Sequence, residues 1–218
     1  MKRLLVTTVA LGLAAAAATA APVVDQSNLP PGSGSFGGID NSVPIRAQSF
    51  TVGLDGFLTG VRLGLSDKGN FDNSLDAELT VGIFDVAGGA VDIAGGAKAS
   101  ETVGRVLDST SFDEAKLLEV TFGASVPVSV GDTLAIVLSG VNAGQNDGFF
   151  WERGGLYDGG VPFEETANGG LSQSGVTDYH FETLVDSAPV DPIPVPASLP
   201  LLLAGLGAVG LLRRRGSG

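Results

Sequence analysis

Between residues 47 and 185 the apolar side chains recur at every second position, and this alternation constrains the fold more than any other feature of the chain. Phe50 and Val52 share one face of a first expected strand, and Val61, Leu63 and Leu65 share a face of a second, after an Asp55-Gly56 turn signal. Leu79, Val81 and Ile83 alternate with Glu78, Thr80 and Gly82 in a third; residues 103–107 make a weaker fourth, and Leu118, Val120 and Phe122 mark a fifth. Val126, Val128 and Val130 then run through Gly131-Asp132 into Leu134, Ile136 and Leu138, the spacing of a hairpin, and residues 149–151 and 179–185 close the series. Successive side chains on a strand point to opposite faces, so each run offers one apolar face to a core. Outside the two ends of the chain, no window of ten or more residues carries a convincing stripe at the helical period. Short strands with Gly and Asp turns predict an all-β fold, a β-sandwich over residues 46–186.

The two ends read differently. Lys2 and Arg3 precede an apolar stretch over residues 4–18, and Ala18-Thr19-Ala20 has the small-x-small form of a signal peptidase site, so residues 1–20 are expected to be a secretory signal peptide cut after Ala20. At the other end, a Pro-containing entry leads into an uncharged run over residues 193–212, about the 20 residues needed to cross a bilayer as a helix. Arg213, Arg214 and Arg215 follow at once, a basic stop that would lie in the cytoplasm with the rest of the chain outside. Residues 21–45, rich in Pro, Gly and Ser, are expected to be a flexible leader, and residues 187–192 a linker to the C-terminal segment 193–218. Within the leader, residues 32–37 match Gly-x-Gly-x-x-Gly, but a dinucleotide fingerprint needs a strand before it and a helix after it; Pro30-Pro31 and the aperiodic stretch that follows make this a loop.

Charge narrows the partners. Of the 12 Lys and Arg residues, five lie in the two ends, whereas none of the 24 Asp and Glu residues does, so the exported part is more acidic than the net charge of −12 for the whole chain. Such a surface repels nucleic acid and anionic lipid, and no nucleic-acid partner is expected. The chain has no cysteine, although export leads to a compartment that permits disulfides. A domain of roughly 140 residues buries about two-thirds of its unfolded surface and can stand on its core alone.

Ile193-Pro194-Val195-Pro196-Ala197, with the Gly-rich apolar run and Arg213 to Arg215 behind it, resembles the VPLPA-CTERM sorting signal, a variant of the PEP-CTERM class of Gram-negative bacteria that make extracellular polysaccharide. Ile193 stands for the usual first Val and Val195 for the usual Leu. The resemblance covers about the last tenth of the chain. It implies transient residence in the inner membrane, processing by an exosortase-like membrane peptidase near the Pro-Ala segment, and delivery to the cell surface or the extracellular polysaccharide matrix. The middle region resembles bacterial choice-of-anchor surface domains, through residues 47–53, 58–63 and 133–140, the aromatic Phe149-Phe150-Trp151 and the closing Tyr179-His180-Phe181. That second resemblance implies a jelly-roll-like sandwich without established catalytic machinery.

The chemical inventory is thin. His180 is the sole histidine; a hydrolase triad with Asp178 and Ser172 or Ser174 can be drawn, but no Gly-x-Ser-x-Gly elbow is present and His180 reads as an ordinary strand residue. One histidine without cysteine excludes the usual zinc sites. Glu164-Glu165 and Asp113-Glu114 pair carboxylates in sequence, yet glycoside hydrolysis depends on their separation across a cleft. Asp67, Asn70, Asp72, Asn73 and Asp76 crowd oxygen donors into one loop, a possible calcium site without EF-hand spacing, in residue types that also build solvated turns. Trp151 and Tyr157 are candidate glycan contacts, although Phe149 and Trp151 share a face and are expected in the core, which leaves Tyr157 as the better exposed. These readings favour a non-catalytic exported surface or matrix protein, with a carbohydrate-binding module second and a secreted glycan hydrolase third.

Overall fold

The computed structural model describes residues 21–29, 35–40, 42–67, 78–103, 116–141, 148–166, 170–175 and 177–187. The strands among them are β1 (Val23–Asn28), β2 (Ser35–Ile39), β3 (Ile45–Thr51), β4 (Gly56–Asp67), β5 (Glu78–Ala87), β6 (Ala90–Val91), β7 (Ala99–Val103), β8 (Lys116–Val128), β9 (Thr133–Val141), β10 (Phe149–Arg153), β11 (Pro162–Glu165), β12 (Leu171–Gln173) and β13 (Phe181–Ser187). They form two antiparallel sheets. In the first, of six strands, β4 is the central member. Strand β8 runs along one side of it; the other side is shared by β13, opposite residues 56–63, and β10, opposite residues 65–67. Strand β1 lies outside β13, and β2 outside β10. The second sheet runs β12, β11, β3, β9, β5, β6, with β7 also paired to β5.

The sheets face each other over one apolar core, as the alternation predicts. Val61, Leu63 and Leu65 of β4, Leu79, Val81 and Ile83 of β5, Val120 and Phe122 of β8, and Leu134, Ile136 and Leu138 of β9 are all buried in it. Burying each of the larger ones removes about 1.5–3 kcal/mol worth of apolar surface from water. The molecule is therefore an all-β sandwich. A smaller cluster of Ala47, Val91, Ala135, Val137 and Phe163 covers the opposite face of the second sheet. Strands β3 and β9 are thus buried on both faces, which is why residues 134–138 read as a continuous apolar run rather than a clean alternation.

Three expectations differ from the structure. The run through Gly131-Asp132 is not a hairpin: β8 belongs to the first sheet and β9 to the second, so this turn carries the chain across the sandwich. The apolar residues on both sides of the turn face the same core from opposite sheets, and a sequence pattern cannot distinguish that from pairing. The fourth strand begins earlier, at Ala99, and residues 104–107 lie outside the described residues. The segment expected as a flexible leader contributes β1 and β2 to the first sheet. Gly37 of the glycine-rich run sits inside β2, where a Cβ would lie 2.8 Å from Tyr179 Cε1 and Oη. Its role is close approach to an aromatic ring, and β2 leads on toward β3 rather than into a helix.

Candidate functional site

The aromatic strand β10 and the approach to β13 hold most of the candidate side chains. Trp151 has no exposed surface; its ring stacks on Tyr179 at 4.3 Å between centroids, and its Nε1 donates to His180 O at 2.9 Å. It offers no face to a sugar, and the expectation of a glycan contact at Trp151 is corrected accordingly. Tyr157 is only partly exposed: its ring meets Phe181 edge-on at 5.1 Å, and its hydroxyl donates to Gln26 Oε1 at 2.8 Å. Burial pushes its pKa up to about 12.

Around Tyr179 runs a belt of buried polar side chains that joins the two sheets. Arg46 and Gln48 alternate with Phe50 on the inward face of β3. Gln48 Nε2 donates to Asp178 Oδ1 at 2.9 Å, its Oε1 accepts from Tyr179 N at 2.9 Å, and Asp178 Oδ2 accepts from Tyr157 N at 2.9 Å. Arg46 donates through Nε to Gly38 O at 2.6 Å and through Nη1 to Tyr179 Oη at 2.9 Å, and it pairs with Glu164 Oε1. The same Glu164 oxygen accepts from Tyr179 Oη at 3.2 Å and lies 3.5 Å from Arg153 Nη1, while Arg153 Nη2 donates to Phe36 O at 3.0 Å. Burial raises the Tyr179 pKa, against the opposing pull of Arg46, so the phenol remains a donor at neutral pH. Two guanidinium groups and a phenol converge on Glu164 and tie the two sheets together, while Glu165, the next residue of β11, points to the opposite face of the strand. The Asp113-Glu114 pair lies outside the described residues.

His180 is buried, and its Nδ1 stands 3.1 Å from Glu152 Oε2 on the outer side of the first sheet. Gly64 lies beneath them: a Cβ there would come within 2.9 Å of His180 Cβ and 3.3 Å of Glu152 Oε2. His180 Nε2 and Ser66 Oγ are both buried without a hydrogen-bond partner, so the imidazole is oriented by an acid and hydrogen-bonds to no serine among the described residues. The drawn triad does not assemble. Asp178 is engaged by Gln48 and Tyr157, and Ser172 lies on β12 in the other sheet. Sequence reasoning did not pair Glu152 with His180 and assigned no role in joining the sheets to Arg46, Gln48 or Arg153. The one available signal was that Arg46 and Gln48 occupy inward positions of a strand, where an unpaired polar group is costly.

Of the calcium candidates, Asp67 ends β4, and Asn70, Asp72, Asn73 and Asp76 lie outside the described residues. Among the described residues no three His, Cys, Asp or Glu side chains converge to hold a metal, and no helix is long and apolar enough to cross a membrane. The signal peptide over residues 1–20, the sorting motif at Ile193 to Ala197 and the basic stop at Arg213 to Arg215 also lie outside the described residues. No protein-family model and no curated protein matches the sequence.

Proposed function

We propose that the chain is an exported, non-catalytic protein of the bacterial cell surface or exopolysaccharide matrix, held in the inner membrane by its C-terminal segment until an exosortase-like peptidase cuts near Pro196-Ala197. The observation that carries this reading is the order of parts over residues 193–215: a proline motif, an uncharged run of membrane-spanning length, and three consecutive arginines. Between the two export segments sits a jelly-roll-like sandwich of the choice-of-anchor kind. The reading draws support from how the described polar side chains are spent. Arg46, Glu164, Tyr179, Gln48 and Asp178 satisfy one another across the sheets, which suits a robust module outside the cell that has no disulfide to brace it.

Mass spectrometry of the C-terminal peptide of exported protein tests the proposal. The expected mature chain ends at or near the 193–197 motif and lacks Arg213 to Arg215. Surface protein that retains those arginines would make the segment a permanent anchor and overturn the sorting reading.

A further inference from the structure

The end of the sandwich where the chain enters and leaves gathers apolar side chains that the core does not use. Strand β13 finishes at Ser187, paired with Gly56 at the start of β4, and β1 begins at Val23, paired with Val185. At this same end the 53–56 turn is fastened to the 129–132 crossover: Val130 N donates to Asp55 Oδ1 at 2.8 Å, and Gly131 N to Val52 O at 2.9 Å. Leu54, Phe57 and Val130 are exposed there, Val130 at 61%, and Val23 and Val24 of β1 lie at the same end, one on each face of the sheet because they are consecutive in a strand. These five are more than half of the nine large apolar side chains exposed on the described surface, so the distribution is concentrated rather than scattered. Single exposed apolar residues need no explanation, whereas a gathered set marks a surface that meets something apolar.

The chain length beyond β13 says what that is. Ser187 precedes Ile193 by six residues, and a fully extended chain of that length reaches at most about 20 Å. The far end of β4 lies about 36 Å further along the strand. A C-terminal run that spans a bilayer would therefore hold the apolar end of the sandwich within about 20 Å of the lipid surface, and whether that end or a flank meets the lipid falls to the side chains exposed there.

We propose that Leu54, Phe57 and Val130, at the end of the sandwich where β1 begins, form the apolar tip on which the sandwich rests in the headgroup boundary of the membrane while the C-terminal run is still attached. The inference rests on the reading of residues 193–215 as a membrane span. Asp25, Asp55, Asp132 and Asp186 flank the same end and disfavour an anionic surface, so the partner is a zwitterionic lipid surface. Apolar side chains that enter the boundary between headgroups and acyl chains bind in proportion to the area they bury. Seating the domain this way would keep the cleavage motif at the membrane surface, where a membrane peptidase works.

Because the chain has no cysteine, single cysteines can carry an environment-sensitive dye on the full chain reconstituted into phosphatidylcholine vesicles, with nitroxide-bearing lipid as the quencher. Dye at Leu54→Cys and Val130→Cys is expected to be quenched severalfold more than dye at Leu117→Cys, which pairs with Gly64 well along β4. Replacing half the phosphatidylcholine with phosphatidylglycerol at low salt is expected to shrink that difference. Equal quenching at Val130 and Leu117, with the chain still floating with the vesicles, would overturn the inference and leave the membrane span standing. Protection at Val130 without lipid quenching, lost when each vesicle holds one chain, would seat a second copy on this face and overturn it as well. A full chain that fails to float with the vesicles would overturn the span itself.

Discussion

Tyr179 joins the apolar core to the polar belt within one side chain, its ring stacked on Trp151 and its hydroxyl set between Arg46 and Glu164. Tyr179→Phe keeps the stack and the ion pair but removes the hydroxyl, so a loss of about 1–2 kcal/mol is expected, read as a lower urea midpoint at unchanged slope. Gly37→Ala attacks the same point from β2: the new methyl would sit 2.8 Å from a ring that Trp151 already backs, and overpacking of this kind costs about 1–3 kcal/mol. Tyr157 gives a pH signature. Burial lifts its pKa from 10 to about 12, so the folded state keeps the phenolic proton longer than the unfolded one. Stability is intact below about pH 10 and falls as pH rises from 10 to 12, by about 1–2 kcal/mol once partial solvent access is allowed for. Tyr157→Phe is expected to flatten part of that alkaline fall in melting temperature, with Tyr179 supplying a remainder of the same sign. What was legible at this scale follows period two: Phe149-x-Trp151 places tryptophan in the core. The partner of Arg46 was not legible, because Glu164 stands 118 residues away and only the folded sheets bring them together.

Strands read well where one face is apolar and poorly where the backbone alone makes the contact. β4, β5 and β8 announce themselves by alternation, whereas β1, with the sequence VVDQSN, has no such pattern and is held as an edge strand by its ladder to β13. Its last residue adds specificity: Asn28 Nδ2 donates to Tyr179 O at 2.9 Å and to Gly154 O at 3.2 Å, and so pins the fork where β10 and β13 part. Hydrogen exchange separates a paired strand from a free leader directly. The amides of β1 that enter the ladder are expected to exchange with protection well above random-coil rates, and Asn28→Ala to lower that protection together with global stability by about 1–3 kcal/mol, since two buried carbonyls lose their donor. Exchange at random-coil rates across residues 23–28 would return this stretch to the leader. The misread hairpin has a related cause. A two-residue Gly-Asp turn and matched apolar spacing fit a hairpin and a crossover equally well, and the choice falls to contacts such as Val52 N to Asp132 O, at 2.9 Å, that bring β3 to the corner.

Over the whole molecule the dominant unbalanced quantity is charge. The chain carries a net −12, with five of its cations at residues 2–3 and 213–215, and cations described in the sandwich are paired with carboxylates, as Arg62 is with Glu119 and Glu182. Mutual repulsion among the remaining carboxylates opposes the compact state, and added salt screens it over a Debye length of about 10 Å at 0.1 M. Melting temperature is therefore expected to climb as sodium chloride rises from low millimolar to about 0.3 M, where the screening length has shortened enough to decouple most surface pairs. Calcium is the sharper probe, because Asp67, Asn70, Asp72, Asn73 and Asp76 fall together in sequence. If these residues form a solvated turn, calcium chloride and sodium chloride at equal ionic strength raise the melting temperature alike. A bound ion would instead add stability that grows with the logarithm of free calcium above its dissociation constant, about 2.7 kcal/mol at a hundredfold excess, and a chelator would remove it. Matched curves are the expected outcome, which would leave the sandwich dependent on its apolar core and on the Arg46, Glu164 and Tyr179 belt; a calcium-specific rise would place an ion at the end of β4.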